Sequence, residues 1–558
     1  MQYKQTLLRL AILLIPFAAN SQTTYLPQGA KENILIERLE IKAGTDSVLN
    51  FSKLKPYSRK QFITRIGRMD SLVNLSKVDQ YNLYGAMVSN LEWATGNRTE
   101  YLSKKGLGKS FYQTPANLYE TNSEDFTLVV NPVFQFMFSK ESDNDQTLFL
   151  NSRGLSLRGR IANKIGFSLY VTDNQERDPL YVQQSVNERK AVPGAGYYKE
   201  FKNTGYDYFD ARGYFTFNVA KYVDVAFGYD KNFIGNGHRS LFLSDFSNNA
   251  LFLKLNTRIW KLNYQNLFME LHPAEPRGGD RLLPKKYAVM HHLDAAVTKW
   301  LNIGVFEGIT FGRKDRFEFG YLNPVIFYRS IEQQNGSFDN SVIGFDAKAN
   351  VAHKFQFYGQ ILFDEFLLSE FKKNRGWWGN KWALQGGAKY IDAFSIKNLD
   401  LQVEANIVRP FTYSHGDSVA NYTHYNQPLA HPVGANFKEL IGIARYQPAP
   451  RWLVQAKGIY YMQGRDSTSE SFGGNIFLPN TPPLYRSKEF GYAIGSGQRT
   501  KVALASLLLS HELKQNLFLE ANLLYRKQSG AAADINSRSS VIVSAGIRWN
   551  MHRREFDF

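Results

Sequence analysis

Two kinds of connection alternate along most of this chain, and that alternation limits the folds open to it. Very short links bearing Lys or Arg recur as "ANKIG", "VAKYVD", "TRIWKL", "VTKWLN", "AHKFQ", "FSIKNLD", "PAPRW" and "ELKQN". Between them lie long polar stretches, about residues 173–206, 231–249, 271–287, 312–341, 365–380, 409–437, 463–498 and 527–539, with a shorter one at 139–145. The segments so joined have a period of two. In "LDLQVEANIV", Leu399, Leu401, Val403, Ala405 and Ile407 alternate with Asp400, Gln402, Glu404 and Asn406; "NLFLEANLLYRK" does the same with Glu520, Asn522 and Arg526. An extended strand points successive side chains to opposite faces, so each segment has an apolar and a polar side. A soluble sandwich alternates too, but strict alternation of short turns with long loops is the pattern of an outer-membrane barrel. A bilayer offers the backbone no hydrogen bonds, so spanning strands must close on one another. About ten tilted residues are enough to cross its apolar layer. Eight hairpins, a first strand at Phe126 and a last at Val541 predict an all-β transmembrane antiparallel β-barrel of about 18 strands over residues 126–558. Lumen-facing Gln402, Glu404, Asn406, Glu520, Asn522 and Arg526 form a polar network that fills or lines it. Alternation runs on through "VIVSAGIRWNMHRREFDF", predicting a last strand that closes on Phe556 and Phe558.

Residues 22–125 read differently. Ser58-x-x-Gln61 and Ser76-x-x-Asp79 have the form of helix-capping boxes. Phe62, Ile66, Met69 and Val73, then Leu83, Met87 and Leu91, follow at helical spacing. Ile34, Ile36, Leu39 and Ile41 suggest a further helix, so a small α-helical domain precedes the barrel. An even strand number leaves both barrel ends, and hence this domain, on the periplasmic side. Residues 1–21 have the order of a signal peptide: Lys4 and Arg9, the apolar "LAILLIPFAA", then small Ala19 and Ser21. The chain has no cysteine, so neither disulfides nor a cysteine-linked lipid is open to it. Its formal charge of +17 suits acidic polysaccharide and lipid or lipopolysaccharide head groups; nucleic acid lies in another compartment.

"GNGHRSLFLSDFSNNALFLKL" resembles the glycine-rich segment of the Wzi-type capsule assembly barrels. "HHLDAAVTKWLNIGVFEGITFG", "FGYLNPVIFYR", "DNSVIGFDAKANVAHKFQFYGQILFDEF" and "VEANIVRPFTYSHGDSVANYTHYNQPLAHPVGANFKEL" follow in the family's order, from about Ile34 onward. A RemB-type gliding motility branch is similar, and the terminal "HRREFDF" and the "NSQ" cleavage site resemble Bacteroidetes-type exported proteins. The resemblance implies an outer-membrane barrel of a Gram-negative bacterium with a periplasmic helical bundle near its base. It also implies binding and retention of surface polysaccharide by extracellular loops, without catalysis. The gliding branch implies instead a motility or adhesion apparatus with protein partners. A general porin is the third reading.

Gly235–Ser240, "GNGHRS", has the look of a phosphate cradle, but a P-loop needs Lys where Arg239 stands and a helix after it. Glycines that shape a compact loop are the simpler reading. His238, Ser240 and Asp245 hold the residue types of a hydrolytic triad, which only geometry can assemble. Adjacent His291 and His292 point to opposite faces of a strand and cannot share a metal. No catalytic residue, cofactor or metal site is predicted. Candidate contacts to a glycan or partner are His238, Arg239 and Asn249, then Lys372, Arg375, Trp377 and Trp378 of "FKKNRGWWGNKW". Indole faces there suit sugar C–H faces, but an aromatic girdle at the membrane interface is the favoured reading of this stretch. The hydrogen-bond-rich "YTHYNQPLAHPVG" adds Tyr422, His424, Tyr425 and His431, expected to be exposed.

Overall fold

The computed structural model describes residues 23–558 apart from 105, 109, 276–281, 315, 326, 468, 482–485 and 531–536; the expected signal peptide lies outside the described residues. Eighteen antiparallel strands close into one barrel. They are β1 (Phe126–Glu141), β2 (Leu148–Ile161), β3 (Ile165–Arg177), β4 (Gly205–Ala220), β5 (Val223–Asp230) and β6 (Ala250–Ile259). Next come β7 (Leu262–Leu271), β8 (Lys286–Ala296), β9 (Leu301–Phe311), β10 (Asn340–Val351), β11 (Phe355–Glu365) and β12 (Lys381–Tyr390). The last six are β13 (Leu399–Val408), β14 (Phe437–Tyr446), β15 (Trp452–Arg465), β16 (Gln498–Lys514), β17 (Leu517–Gly530) and β18 (Arg538–Trp549). Each strand pairs with its neighbour in sequence. β18 returns to β1, with Ile542 opposite Glu141 and Trp549 opposite Phe134, so no edge is left open. The eight short turns fall where the charged links predict them.

Alternation sorts the side chains as the sequence requires. Phe215, Phe227, Val305, Phe345, Leu507 and Leu523 are exposed on the outer wall, while Gln402, Glu404, Asn406 and Glu520 are buried inside. Exposed Tyr222, Trp260, Trp300 and Phe394 cluster by sequence at the short turns, the place of an aromatic girdle.

Among the described residues three α-helices precede the barrel: α1 (Lys31–Ala43), α2 (Arg59–Ile66) and α3 (Lys77–Ser89). Ser58 caps α2 by accepting the N–H of Gln61, and Ser76 with Asp79 forms a complete capping box on α3. Leu35, Ile36, Leu39, Phe62, Ile66, Met69, Leu83 and Met87 make the bundle's core. The bundle is seated in the short-turn end of the lumen. Asn50 Nδ2 donates to Lys299 O at 2.6 Å and Asn82 Nδ2 to Gln447 Oε1 at 2.8 Å, both at turns. Deeper in, Glu40 meets Lys348 at 2.5 Å, Glu37 meets Lys389 at 2.9 Å, and Glu92 meets Arg158 at 2.8 Å. Lys53 reaches Asp294 at 3.0 Å and also pairs with Asp346.

The predicted last strand is too long. β18 ends at Trp549, and Asn550 takes a left-handed turn (φ 51°) that sends residues 551–558 into the lumen. Odd positions of β18 face outward, so further alternation would place Arg553, Glu555 and Asp557 on the lipid side. Charges there are costly. Inside, Arg553 pairs with Glu520 at 2.6 Å, Arg554 with Glu176 at 2.8 Å and Asp557 with Lys457 at 2.6 Å.

Candidate functional site: the glycine loop, the tail and the loop face

The β5–β6 connection folds inward instead of standing clear of the barrel. Its Phe233–Ile234 pairs with Leu54–Lys55 of the helical region, so material from the two ends of the barrel meets inside it. The glycines then explain themselves. A Cβ on Gly237 would lie 2.5 Å from Glu404 Oε2. Without one, the loop presses onto β13, and Glu404 accepts the N–H of His238 at 2.7 Å and of Arg239 at 3.0 Å. The cradle does hold an anion, but it is a resident carboxylate of the barrel wall.

His238 Nε2 lies 2.7 Å from Asp557 Oδ2, and Arg239 Nη1 donates to Asp557 Oδ1 at 2.8 Å. Burial pushes the Asp557 carboxyl up, but Arg239, Lys457 and His238 more than offset it and hold it well below the usual carboxylate range. Ser240 donates to Ile234 O at 2.5 Å and accepts from the N–H of Phe242, so its hydroxyl shapes the turn. His238 thus meets Asp557, while Ser240 is spent on the backbone, and no Ser–His–Asp relay forms among these residues.

The β13–β14 connection, residues 409–436, locks this loop in place. Tyr413 and Tyr422 donate to the successive carbonyls of Leu241 and Phe242, at 2.9 and 2.7 Å. Phe242 stacks on Phe306 with ring centroids 4.5 Å apart. His424 accepts the N–H of His272 at Nδ1 and donates from Nε2 to Asn249 O at 2.9 Å. Burial, with nearby His272, Lys286 and Lys231, lowers its pKa to about 3 despite that bond to Asn249, so the ring is neutral. Asn249 Nδ2 donates to Asp210 at 2.8 Å, and His431 Nε2 bonds Glu439 at 2.7 Å. Tyr422, His424 and His431 are therefore fully buried, contrary to the exposure expected of "YTHYNQPLAHPVG"; Tyr425 is half-buried against His272 and His424.

A cavity of about 350 Å³ remains between loop, tail and bundle, lined by Lys55, Arg212, Lys231, His238, Lys389 and Arg554 among others. It adjoins a second of about 260 Å³ toward the turn end, with Arg212, Lys231, Arg445 and Arg553 shared. Among the described residues no group of three or more His, Cys, Asp or Glu side chains is arranged for a metal.

The remaining candidates form a separate group on the loop face. Lys372 and Arg375 are exposed and Trp377 and Trp378 half-exposed, in the β11–β12 connection. This connection pairs with the β15–β16 one: Gly491 N–H donates to Arg375 O at 2.9 Å and Tyr492 N–H to Gly376 O at 3.0 Å. Trp378 Nε1 donates to Glu489 at 2.8 Å, and the Arg486 guanidinium sits 4.0 Å over its ring. Trp378 thus packs within the loop layer and not on the outer wall of a strand. The sequence reading missed Asp557, Lys457 and Glu439 as the loop's anchors; the odd-position charges of the tail are a signal for Asp557, and the inward alternation of β14 and β15 for the other two.

No family model matches the sequence, and no curated protein matches it. Among solved structures, the chain is similar to Wzi of Escherichia coli, described as an outer membrane protein involved in group 1 capsule assembly and a carbohydrate-binding β-barrel. That similarity has a TM-score of 0.57 at 15% identity and covers 95% of this chain and 100% of Wzi. OprD of Pseudomonas aeruginosa matches more loosely, with TM-score 0.40, 12% identity, and 80% and 98% of the two chains covered. The likeness to Wzi establishes a shared fold.

Proposed function

We propose that this protein is a non-enzymatic outer-membrane barrel that binds and retains acidic surface polysaccharide over its loop face. In this reading the short turns and the helical bundle face the periplasm, and the long connections face outward. The observation that carries it is the interior: bundle, glycine loop and tail occupy the lumen and bond to its wall, which suits a scaffold for a binding face better than a conduit. Lys372, Lys373 and Arg375 precede Trp377 on that face; Lys373 and Arg375 share the single carboxylate of Glu370 at 2.7 Å, so the cluster stays net positive for uronate or phosphate groups, with an indole for a sugar ring. The Wzi-like fold is consistent with this. Attraction between a basic face and an acidic glycan weakens with salt. The test is binding of purified protein to an array of acidic and neutral glycans at low and high salt. Salt-sensitive retention of acidic glycans, reduced in Trp377→Ala and Arg375→Ala, supports the reading; retention unchanged by both variants refutes the assigned surface.

A further inference from the structure

The described residues of the β9–β10 connection, 312–314, 316–325 and 327–339, turn back down the outside of the barrel. On β8 and β9 the outward positions include His291, Leu293, Val305 and Glu307, with His291 opposite Glu307 and Leu293 opposite Val305. Leu293 and Val305 are exposed members of the apolar belt, and so is Ile343, which faces Glu307 from β10. Glu307 and His291 are nevertheless only 4% and 7% exposed. A carboxylate on this wall needs cover, and the connection supplies it. Glu307 accepts the N–H of Tyr328 and of Arg329, both at 2.9 Å, at the start of the short helix α4 (Tyr328–Gln334).

More contacts fix the same strap. The Tyr328 ring lies 3.8 Å from that of His291. Tyr264 Oη and Asn266 Nδ2, outward-facing on β7, donate to Pro324 O at 2.6 and 3.1 Å. Tyr321 and Tyr328 bury Phe268, Val289, Ile309 and Phe311 of the wall. Where the strap leaves the rim, Asp339 is held by both terminal nitrogens of Arg313 and by Tyr321, each at 2.6 Å. Glu307 is four residues below the end of β9, about 13 Å along the strand at roughly 3.3 Å per residue. The strap therefore reaches the level of the belt.

The first part of the strap exposes large apolar side chains: Phe319 is 77% exposed, Val325 84% and Phe327 68%, with Leu322 beside them; the exposed polar residues Arg329, Ser330, Gln333 and Gln334 follow in α4. We propose that residues 317–325 and Phe327 form a lipid-immersed strap, whose outer face is covered by the acyl chains of the surrounding leaflet. Acyl chains are the fitting occupant because this face continues the exposed belt of Leu293, Val305 and Ile343 at the same height. In water such a face would be an open apolar patch; within the belt it extends the lipid surface and shields a polar patch that strands alone could not carry there. The inference rests on the barrel standing in a membrane and not on what its loops bind.

The absence of cysteine allows single labels without background. Val325→Cys and, separately, Phe319→Cys are spin-labelled in the otherwise intact protein and reconstituted into phospholipid vesicles. Relaxation by oxygen, which partitions into lipid, is compared with relaxation by a water-soluble nickel chelate. Leu523→Cys on the belt and Lys488→Cys in a long connection are the references. Oxygen-dominated relaxation at both strap sites, matching Leu523, is expected. Nickel-dominated relaxation matching Lys488 overturns the strap while leaving the barrel in place. A label shielded from both reagents also overturns it, because protein and not lipid would then cover the face. Nickel-dominated relaxation at Leu523 itself would remove the membrane setting on which the strap depends.

Discussion

The two ends of the lumen are filled by different physics. At the turn end a helical bundle with its own apolar core is seated by charge pairs: Arg38, held within the bundle by Asp79 at 2.6 Å, bonds Asp392 at 2.5 Å and also reaches Asp400, while Glu37, Glu40 and Lys53 meet the wall. At the loop end no preformed unit exists. Segments from β5–β6, β13–β14 and the tail interlock through tyrosine-to-carbonyl bonds, neutral histidines and an aromatic stack. The bundle has a core of its own, whereas the core of the loop end is shared among separate connections. The first is a seat that charge can release; the second is a core that must be broken.

The largest effect is expected where that core is densest. Phe242→Ala removes the ring stacked on Phe306 and should destabilise the barrel by about 3–5 kcal/mol. A urea midpoint from tryptophan fluorescence would report it, with proteolysis increasing in the long connections. Arg38→Ala leaves three carboxylates without their shared cation and should cost about 3 kcal/mol. Here limited proteolysis should cut the bundle first and spare the loop end. Equal cutting at both ends would erase the distinction drawn above.

Acid should separate the ends in the reverse order. His424 has its pKa lowered from 6.5 to about 3, so the unfolded state binds the proton more readily. Its contribution is complete above about pH 6.5 and declines as pH falls toward 3. Burial pushes the Asp79 carboxyl up, but Arg38 and Lys42 more than offset this and hold it at about 2. Its contribution is complete above about pH 4 and is lost as pH falls toward 2. Hydrogen exchange followed from pH 7 downward should show the loop end opening first. His424→Gln should remove much of the early step.

Smaller effects test local fit. Gly237→Ala sets a methyl against Glu404 and should cost about 1–3 kcal/mol through overpacking. Lys372→Ala should change stability by less than about 0.5 kcal/mol, as exposed substitutions do, while weakening retention of acidic glycan.

Much of this was legible from period and spacing. The strand number, the turns, the caps at Ser58 and Ser76 and the inward placement of Gln402, Glu404 and Asn406 all follow from which face a side chain must take. What periodicity cannot tell is where a folded face goes. Glu37, Arg38 and Glu40 belong to a helix whose apolar spacing gives no sign that these charges have partners on the barrel's inner wall. "YTHYNQPLAHPVG" reads as surface because it is polar, but its groups are paired inside the lumen. The tail alternates like a strand through Phe558, and only the sign of its odd positions separates a lipid face from a luminal one. Glu307 was invisible for a similar reason: it breaks an outer face and is rescued by a connection about 20 residues further along.

If bundle, glycine loop and tail block the lumen around its cavities, the protein works through its loop face and not as a conduit. Single-channel recording of the purified wild-type protein in planar bilayers tests this most directly. The account predicts no steady conductance for the wild type, and intermittent openings once Phe242→Ala loosens the loop end. A steady, ohmic wild-type pore, unchanged in Phe242→Ala, would contradict it.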